Sequence, residues 1–374
     1  MLAPQRTIGR FSGVVVTLLW CAISASWWVS RPAFAQPGQP DFTQLTIEQL
    51  LHVEVTSVAK KEQTLAHAAA AIFVITQEDI RRAGVTSLPE ALRLAPGVEV
   101  ARIDANKWAI SIRGFNGRFA NKLLVLIDGR SVYTPLFSGV FWEVQDLLLE
   151  DVERIEVVRG PGATLWGANA VNGIINIITK QAQDTQGGVV TAGGGTEERG
   201  FGGVRYGAKL ADDAYVRAYI KYFNRDGFVD AAGIDTPDNG HVLRGGFRLD
   251  WQASKDNRLT VQGDIYDGEA GGIFTSPSFV PPFVSARRGT ADLFGSNVLA
   301  RWQHTLAEES VTALQVYYDR TERQDLTVGE NRDTVDLDFQ HRFAPTPWLD
   351  VVWGLGYRAT HDSIVNTFSA TFRP

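Results

Sequence analysis

The sequence predicts a small mixed α+β domain followed by an antiparallel transmembrane β-barrel that is incomplete, with about nine strands present. Three observations predict it. Between Asp151 and Lys180 a glycine-dense turn joins two apolar, β-prone runs. After Gln181 apolar and polar residues alternate strictly over long arms. The connections between those arms alternate between short and long.

The stretch DVERIEVVRGPGATLWGANAVNGIINIITK organises the first domain. It predicts a strand over Ile155–Val158 and a second over Gly173–Thr179. Ile174, Ile175, Asn176, Ile177 and Ile178 are apolar on both faces, as in a strand buried on both sides. Between the strands lie Gly160, Pro161, Gly162 and Gly167. Glycine permits φ > 0 and proline fixes φ, so this turn is specific in shape rather than merely flexible.

The rest of the chain follows in order. Residues 1–35 read as a secretory signal: Arg6 and Arg10 precede the apolar Val14–Val29, and Ala33-Phe34-Ala35 is a small-residue cleavage site before Gln36. Cys21, the only cysteine, leaves with it, so the mature chain has no disulfide or thiolate chemistry. Residues 36–52 form a linker, with Pro37, Gly38 and Pro40 and one possible helical turn at Thr46–Leu51. Val53, Glu54, Val55, Thr56, Ser57 and Val58 are β-prone. Ala71–Thr76 predicts a strand, and Thr76-x-x-Asp79 caps a helix that Gly84 stops. Ser87-x-x-Glu90 repeats the device, with Pro89 in the first turn. Strands are expected over Val98–Ile103, Trp108–Arg113 and Leu123–Ile127, the last ending in an Asp128-Gly129 turn.

In the second half, Leu243, Gly245, Phe247, Leu249 and Trp251 alternate with Arg244, Gly246, Arg248 and Asp250. Val335, Leu337 and Phe339 alternate with Asp336, Asp338 and Gln340, and Leu349–Tyr357 repeats the pattern. Period two gives one apolar face and one wet face, and about ten residues per arm suits a tilted membrane strand. Lys209–Asp213, Ser254–Asn257, Leu306–Glu309 and Ala344–Pro347 are tight connections; Arg225–Gly240, Gly268–Asp292 and Thr321–Arg332 are expected as long external loops.

ERIEVVRGPGATLWGANAVNGIINIITK, together with ISIRGF at Ile110–Phe115 and LVLIDGRSVY at Leu124–Tyr133, resembles the plug domain of TonB-dependent outer-membrane receptors, with three motifs in order. The resemblance covers Ile47–Lys180 closely and the remainder in pattern. It implies a plug at 59–180 and a partial barrel at 187–374, in the outer membrane of a Gram-negative bacterium, with plug and N-terminus on the periplasmic side. Plugged barrels of this class close with roughly 22 strands, so the chain is expected to be a fragment or truncated product. The implied function is energised uptake of a scarce large ligand, a ferric siderophore first, with cobalamin, haem or a glycan as other classes. The alternative is a truncated, non-transporting fragment that binds ligand or partner. Implied partners are the TonB-ExbB-ExbD inner-membrane complex, outer-membrane lipid and a small-molecule ligand such as a metal chelate, the receptor being a monomer. Val53–Val58 is either the TonB box, offering its backbone to a partner's sheet edge, or the first strand of the plug. Arg113 and Arg159 match plug arginines that lock against wall carboxylates, with Glu153 and Glu156 nearer in sequence. Arg118, Phe119, Tyr133, Phe137, Phe141 and Trp142 lie on or beside loops that face ligand in the family, and for most of them packing against the barrel wall is the expected role.

No enzyme constellation stands out. There is no H-E-x-x-H, no G-x-S-x-G and no paired-cysteine site, and the six histidines are scattered. Gly160-Pro161-Gly162 lacks the G-K-[ST] ending of a phosphate loop. A net charge of −6 offers no sequence-wide case for nucleic acid. No cofactor, metal site or catalytic residue is expected.

Overall fold

The computed structural model describes residues 54–57, 63–64, 70–346, 348–367 and 371. The predicted signal, the linker, the Thr46–Leu51 turn, Val53 and Val58 lie outside the described residues.

The first domain is built on a five-stranded mixed sheet. Its strands are β3 (Ala71–Thr76), β6 (Leu123–Ile127), β7 (Arg130–Ser131), β8 (Val152–Arg159) and β9 (Gly173–Thr179), in spatial order β3-β8-β9-β6-β7. β6 and β9 run parallel; the other pairs are antiparallel. β9 has the predicted limits, and Ile174, Ile175 and Ile177 are buried because β8 and β6 flank it and both faces are covered, while Ile178 near its end is half-buried. One face carries the main core, including Ile75, Val125, Ile127, Ile155, Val157, Ile175 and Ile177. The other carries a smaller cluster of Leu124, Leu126, Val158, Ala170 and Ile174. A separate hairpin, β4 (Val98–Asp104) with β5 (Lys107–Ile112), contributes Trp108, Ile110 and Ile112 to the main core. β1 (Glu54–Val55) pairs antiparallel with β2 (Gln63–Thr64).

Helix α1 (Gln77–Ala83) has the expected capping box. The Asp79 N–H donates to Thr76 Oγ1 at 3.1 Å, and the Thr76 N–H donates to Asp79 Oδ2 at 2.9 Å. Gly84 ends the helix with φ 64°. Helix α2 (Leu88–Ala91) has Pro89 in its first turn, but the Ser87 side chain makes no capping bond. At one turn long, α2 is held by its buried Leu88 and Ala91 rather than by its cap. A third short helix, α3, spans Ala163–Trp166 in the glycine-dense turn.

The second half is a single nine-stranded antiparallel sheet in which every strand pairs with its sequence neighbours. It comprises β10 (Gly187–Gly193), β11 (Glu198–Ala211), β12 (Ala214–Arg225), β13 (Gly240–Ser254), β14 (Asn257–Pro277), β15 (Val284–Ala307), β16 (Ser310–Gln324), β17 (Gly329–Thr346) and β18 (Leu349–Val365). The sheet is open, not a closed barrel. The alternation predicted from sequence sorts the two faces. Phe247, Trp251, Ile265, Val298, Trp302, Leu337 and Trp353 are exposed on the outer face. Arg205, Arg217, Lys221, Arg244 and Arg332 are buried on the inner face, against the plug. Among the described residues no helix is long and apolar enough to cross a membrane.

Four tight connections lie at one end of the sheet, where Ala211 pairs with Ala214, Ser254 with Asn257, Ala307 with Ser310 and Thr346 with Leu349. At the other end the prediction needs correcting. Arg225–Gly240 holds a genuine loop, but β14 and β15 continue as a ladder to Pro277 and Val284, so most of Gly268–Asp292 is strand. β16 and β17 likewise continue to Gln324 and Gly329. Polar, glycine-containing segments read as loops locally, yet cross-strand hydrogen bonding extends each hairpin past the apolar band.

Candidate functional site

The plug packs against the wet face of the wall, and buried charge pairs mark the seam. Asp151 Oδ1 accepts from Arg205 Nη1 at 2.7 Å, and its Oδ2 lies 3.5 Å from Arg217 Nε. Asp146 pairs with Lys221 at 2.7 Å, and Glu143 with Arg323 at 2.9 Å. All seven of these side chains are buried. They set plug carboxylates from one strap, residues 141–151, against wall cations from β11, β12 and β16. Two pairs have the opposite polarity: Arg130 of the plug with Asp319 of β16, at 2.6 Å, and Arg102 of β4 with Glu197, in the turn between β10 and β11.

Asp128 sits at the same seam, in the turn after β6, where its φ of 50° and Gly129's φ of 86° form the predicted tight reversal. Its carboxylate accepts from the Thr179 N–H and Oγ1–H, each at 2.9 Å, and from Gln262 Nε2 at 2.9 Å. Burial works to raise its pKa. Arg248 and these hydrogen bonds outweigh burial and hold it below the ordinary carboxylate range. Taking two charges out of water is expensive, so such pairs contribute orientation of the plug more than net stability.

The two arginines of the expected lock lie side by side. Arg113 Nη2 donates to the Arg159 carbonyl at 3.1 Å, and Arg159 Nη1 donates to the Pro96 carbonyl at 3.3 Å. The two arginines are therefore neighbours, but among the described residues neither makes an ion pair. Of the nearby carboxylates, Glu153 and Glu156 both pair with Arg154.

Glu156 has a second role that the sequence did not signal. It is fully buried in mid-strand on β8, beside Asn176 of β9. Its Oε2 accepts from the backbone N–H groups of Thr56 at 3.0 Å and Ser57 at 2.8 Å, and from Ser57 Oγ at 2.5 Å. Trp166 Nε1 donates to the Ser57 carbonyl at 2.7 Å, and Asn176 Nδ2 to Ser57 Oγ at 3.0 Å. Within the candidate box, Glu54 and Val55 thus form a short strand, Val55 and Ser57 are buried, and Thr56 and Ser57 are anchored on the plug sheet.

The six predicted ligand-facing residues separate. Phe119 is 63% exposed, with Arg118 over its ring at 5.9 Å. Phe119 meets Phe137 edge-on, and Phe137 meets Phe141. Phe141 is buried against Phe223, Val242 and Leu293 of the wall, with Arg323 stacked over it at 4.4 Å. Trp142 belongs to the plug core. Tyr133 lines a cavity of about 220 Å³ between plug and wall, with Arg130, Arg244, Tyr266, Tyr317 and Asp319. Phe115, which closes the ISIRGF motif, is 97% exposed at φ 57°. No group of three or more metal-ligating side chains occurs among the described residues.

Comparison with known proteins accounts for this architecture. Residues 64–174 match the TonB-dependent receptor plug domain. The chain is 29% identical over 258 residues to the vitamin B12 transporter BtuB of Vibrio vulnificus, covering 68% of this chain and 35% of BtuB. It is 33% identical over 269 residues to an iron-regulated outer membrane virulence protein of Vibrio cholerae, covering 69% and 38%. Among solved structures, the pyoverdine outer membrane receptor FpvA from Pseudomonas aeruginosa superposes with a TM-score of 0.66 at 17% identity, over 83% of this chain and 49% of FpvA. The siderophore receptor PirA of Pseudomonas aeruginosa gives 0.57 at 21%, over 79% and 49%. The chain therefore spans about a third of these two relatives and about half of these two structures. A plug with these motifs, seated by charge pairs on the inner face of an amphipathic antiparallel sheet, places the chain in the TonB-dependent receptor family.

Proposed function

We propose that the chain acts in TonB-dependent uptake across the outer membrane, recognising a scarce, large ligand at the exposed plug apex. The observation that carries this reading is the docking of Thr56 and Ser57 on Glu156. It gives the segment N-terminal to the plug a held position, from which a periplasmic partner can draw it. In this reading Val53–Val58 is the box that pairs with the TonB sheet edge, energy comes from the inner-membrane TonB-ExbB-ExbD complex, and no covalent chemistry occurs. Ligand binding signals to that segment only to the extent that it prefers one plug state over another. Arg118, Phe119 and Phe137 form the apical contact surface for a planar or anionic chelate. A ferric siderophore is the first class to test and cobalamin the second, because the compared receptors are named for ligands of both kinds.

The test is uptake and binding of ferric siderophores and cobalamin in cells carrying the receptor, with and without residues 53–58. Loss of energised uptake with retained binding supports the assignment. Equal loss of both rejects the box. Saturable binding with no energised uptake selects instead a module that binds ligand or partner without transporting.

A further inference from the structure

We infer that Asp238 is a positioning residue through which the loop after β12 and the β4–β5 hairpin of the plug order one another. The loop, residues 226–239, follows β12 at the end of the wall opposite the tight connections. Inside it, Asp238 Oδ1 accepts from the Phe228 N–H at 3.1 Å and from the Thr236 hydroxyl, and the Thr236 N–H donates to the Phe228 carbonyl at 2.7 Å. The same carboxylate turns its other oxygen to the plug: Asp238 Oδ2 accepts from the Ala105 N–H at 2.7 Å. One side chain thus closes the loop on itself and fastens it to the plug.

The neighbouring contacts make this a clasp rather than a single bond. Asn106 Nδ2 donates to the carbonyls of Asp238 at 2.7 Å and Gly271 at 2.9 Å. Lys107 Nζ reaches the Gly271 carbonyl at 3.2 Å while held by Asp104 and Asn106. A Cβ at Gly271 would lie 2.3 Å from the Pro237 carbonyl, so only glycine lets the loop backbone close on β14 there. Ala105, Asn106, Lys107 and Asp238 are all buried. Beside them Arg102 stacks on Phe228 of the loop at 4.6 Å and on Trp108 of the plug core at 5.4 Å. Buried polar groups left without partners cost free energy, so opening the loop strands donors on Ala105 and Asn106, and moving the hairpin strands carbonyls on the loop. The coupling is therefore reciprocal. It holds whatever ligand the receptor takes.

The test is amide exchange on the full chain in detergent. Asn106→Ala removes the side-chain amide that donates to the loop carbonyls of Asp238 and Asn239 without touching any bond inside the loop. Exchange at Phe228 and Thr236 should rise about tenfold, with residues 173–179 unchanged as the control for folding. The reverse variant, Asp238→Asn, should raise exchange at Ala105–Lys107 by a similar factor. Unchanged loop protection in Asn106→Ala, or unchanged hairpin protection in Asp238→Asn, overturns the inference. The second readout lies on the plug and still decides the question if the loop of that variant unfolds.

Discussion

Arg205 Nη1 lies 2.7 Å from Asp151 Oδ1, joining the second wall strand to the residue just before β8, with Arg217 on the other oxygen. Asp151 thereby neutralises two cations that the wall buries. Asp151→Ala should destabilise the plug–wall assembly by about 3–5 kcal/mol, because both guanidinium groups are left without their anion. Denaturant unfolding followed by tryptophan fluorescence checks this. A loss below about 1 kcal/mol, the size of an exposed pair, would show the seam to be wet.

Glu156 holds the N-terminal segment through backbone donors, which any side-chain change at residues 56 and 57 leaves in place. The informative variant is therefore Glu156→Ala. It should raise amide exchange at Thr56 and Ser57 by about tenfold or more, as buried hydrogen bonds to a charged group are lost. Under the proposed box assignment it should also raise crosslinking to TonB in the absence of ligand. Unaltered exchange at those two amides would mean the segment is held by Trp166 and Asn176 instead.

Asp128 gives plug docking a pH dependence. Its folded pKa is depressed, so its contribution is present above the unfolded value, about 3.9, and is lost as pH falls through the lower folded value. Thermal unfolding of the native chain and Asp128→Asn should differ by a constant amount above about pH 5, and the difference should shrink below about pH 4. A difference that already shrinks between about pH 5 and pH 7 would contradict a depressed pKa.

Gly173 tests the packing of the plug sheet. A Cβ there would meet the Val158 carbonyl at 2.6 Å and Ile112 Cδ1 at 2.7 Å. Gly173→Ala should therefore cost about 1–3 kcal/mol by overpacking, although the backbone conformation itself accepts alanine. A neutral effect on the unfolding midpoint would show that β8 and β9 can separate locally.

Much of the architecture was legible in the chain. The limits of β9, the capping box at Thr76 and Asp79, the Asp128-Gly129 reversal and the two faces of β13 all follow from local periodicity and turn chemistry. These signals lie within a few residues of one another, so one sequence carries them whole. The alternation also said which side chains of β13 and β17 would leave lipid. It could not say what they would meet.

Those meetings belong to the tertiary structure. Asp146 finds Lys221 across 75 residues and Glu156 finds Ser57 across 99, with no spacing rule to announce either. The motifs mark Arg113 and Arg159, and the fold makes them neighbours, each donating to a backbone carbonyl. The polarity of the main seam, carboxylates on the plug and cations on the wall, was likewise set by register and docking. A buried charge takes whichever opposite charge closure of the fold brings within reach, because the cost of leaving it alone exceeds any local preference.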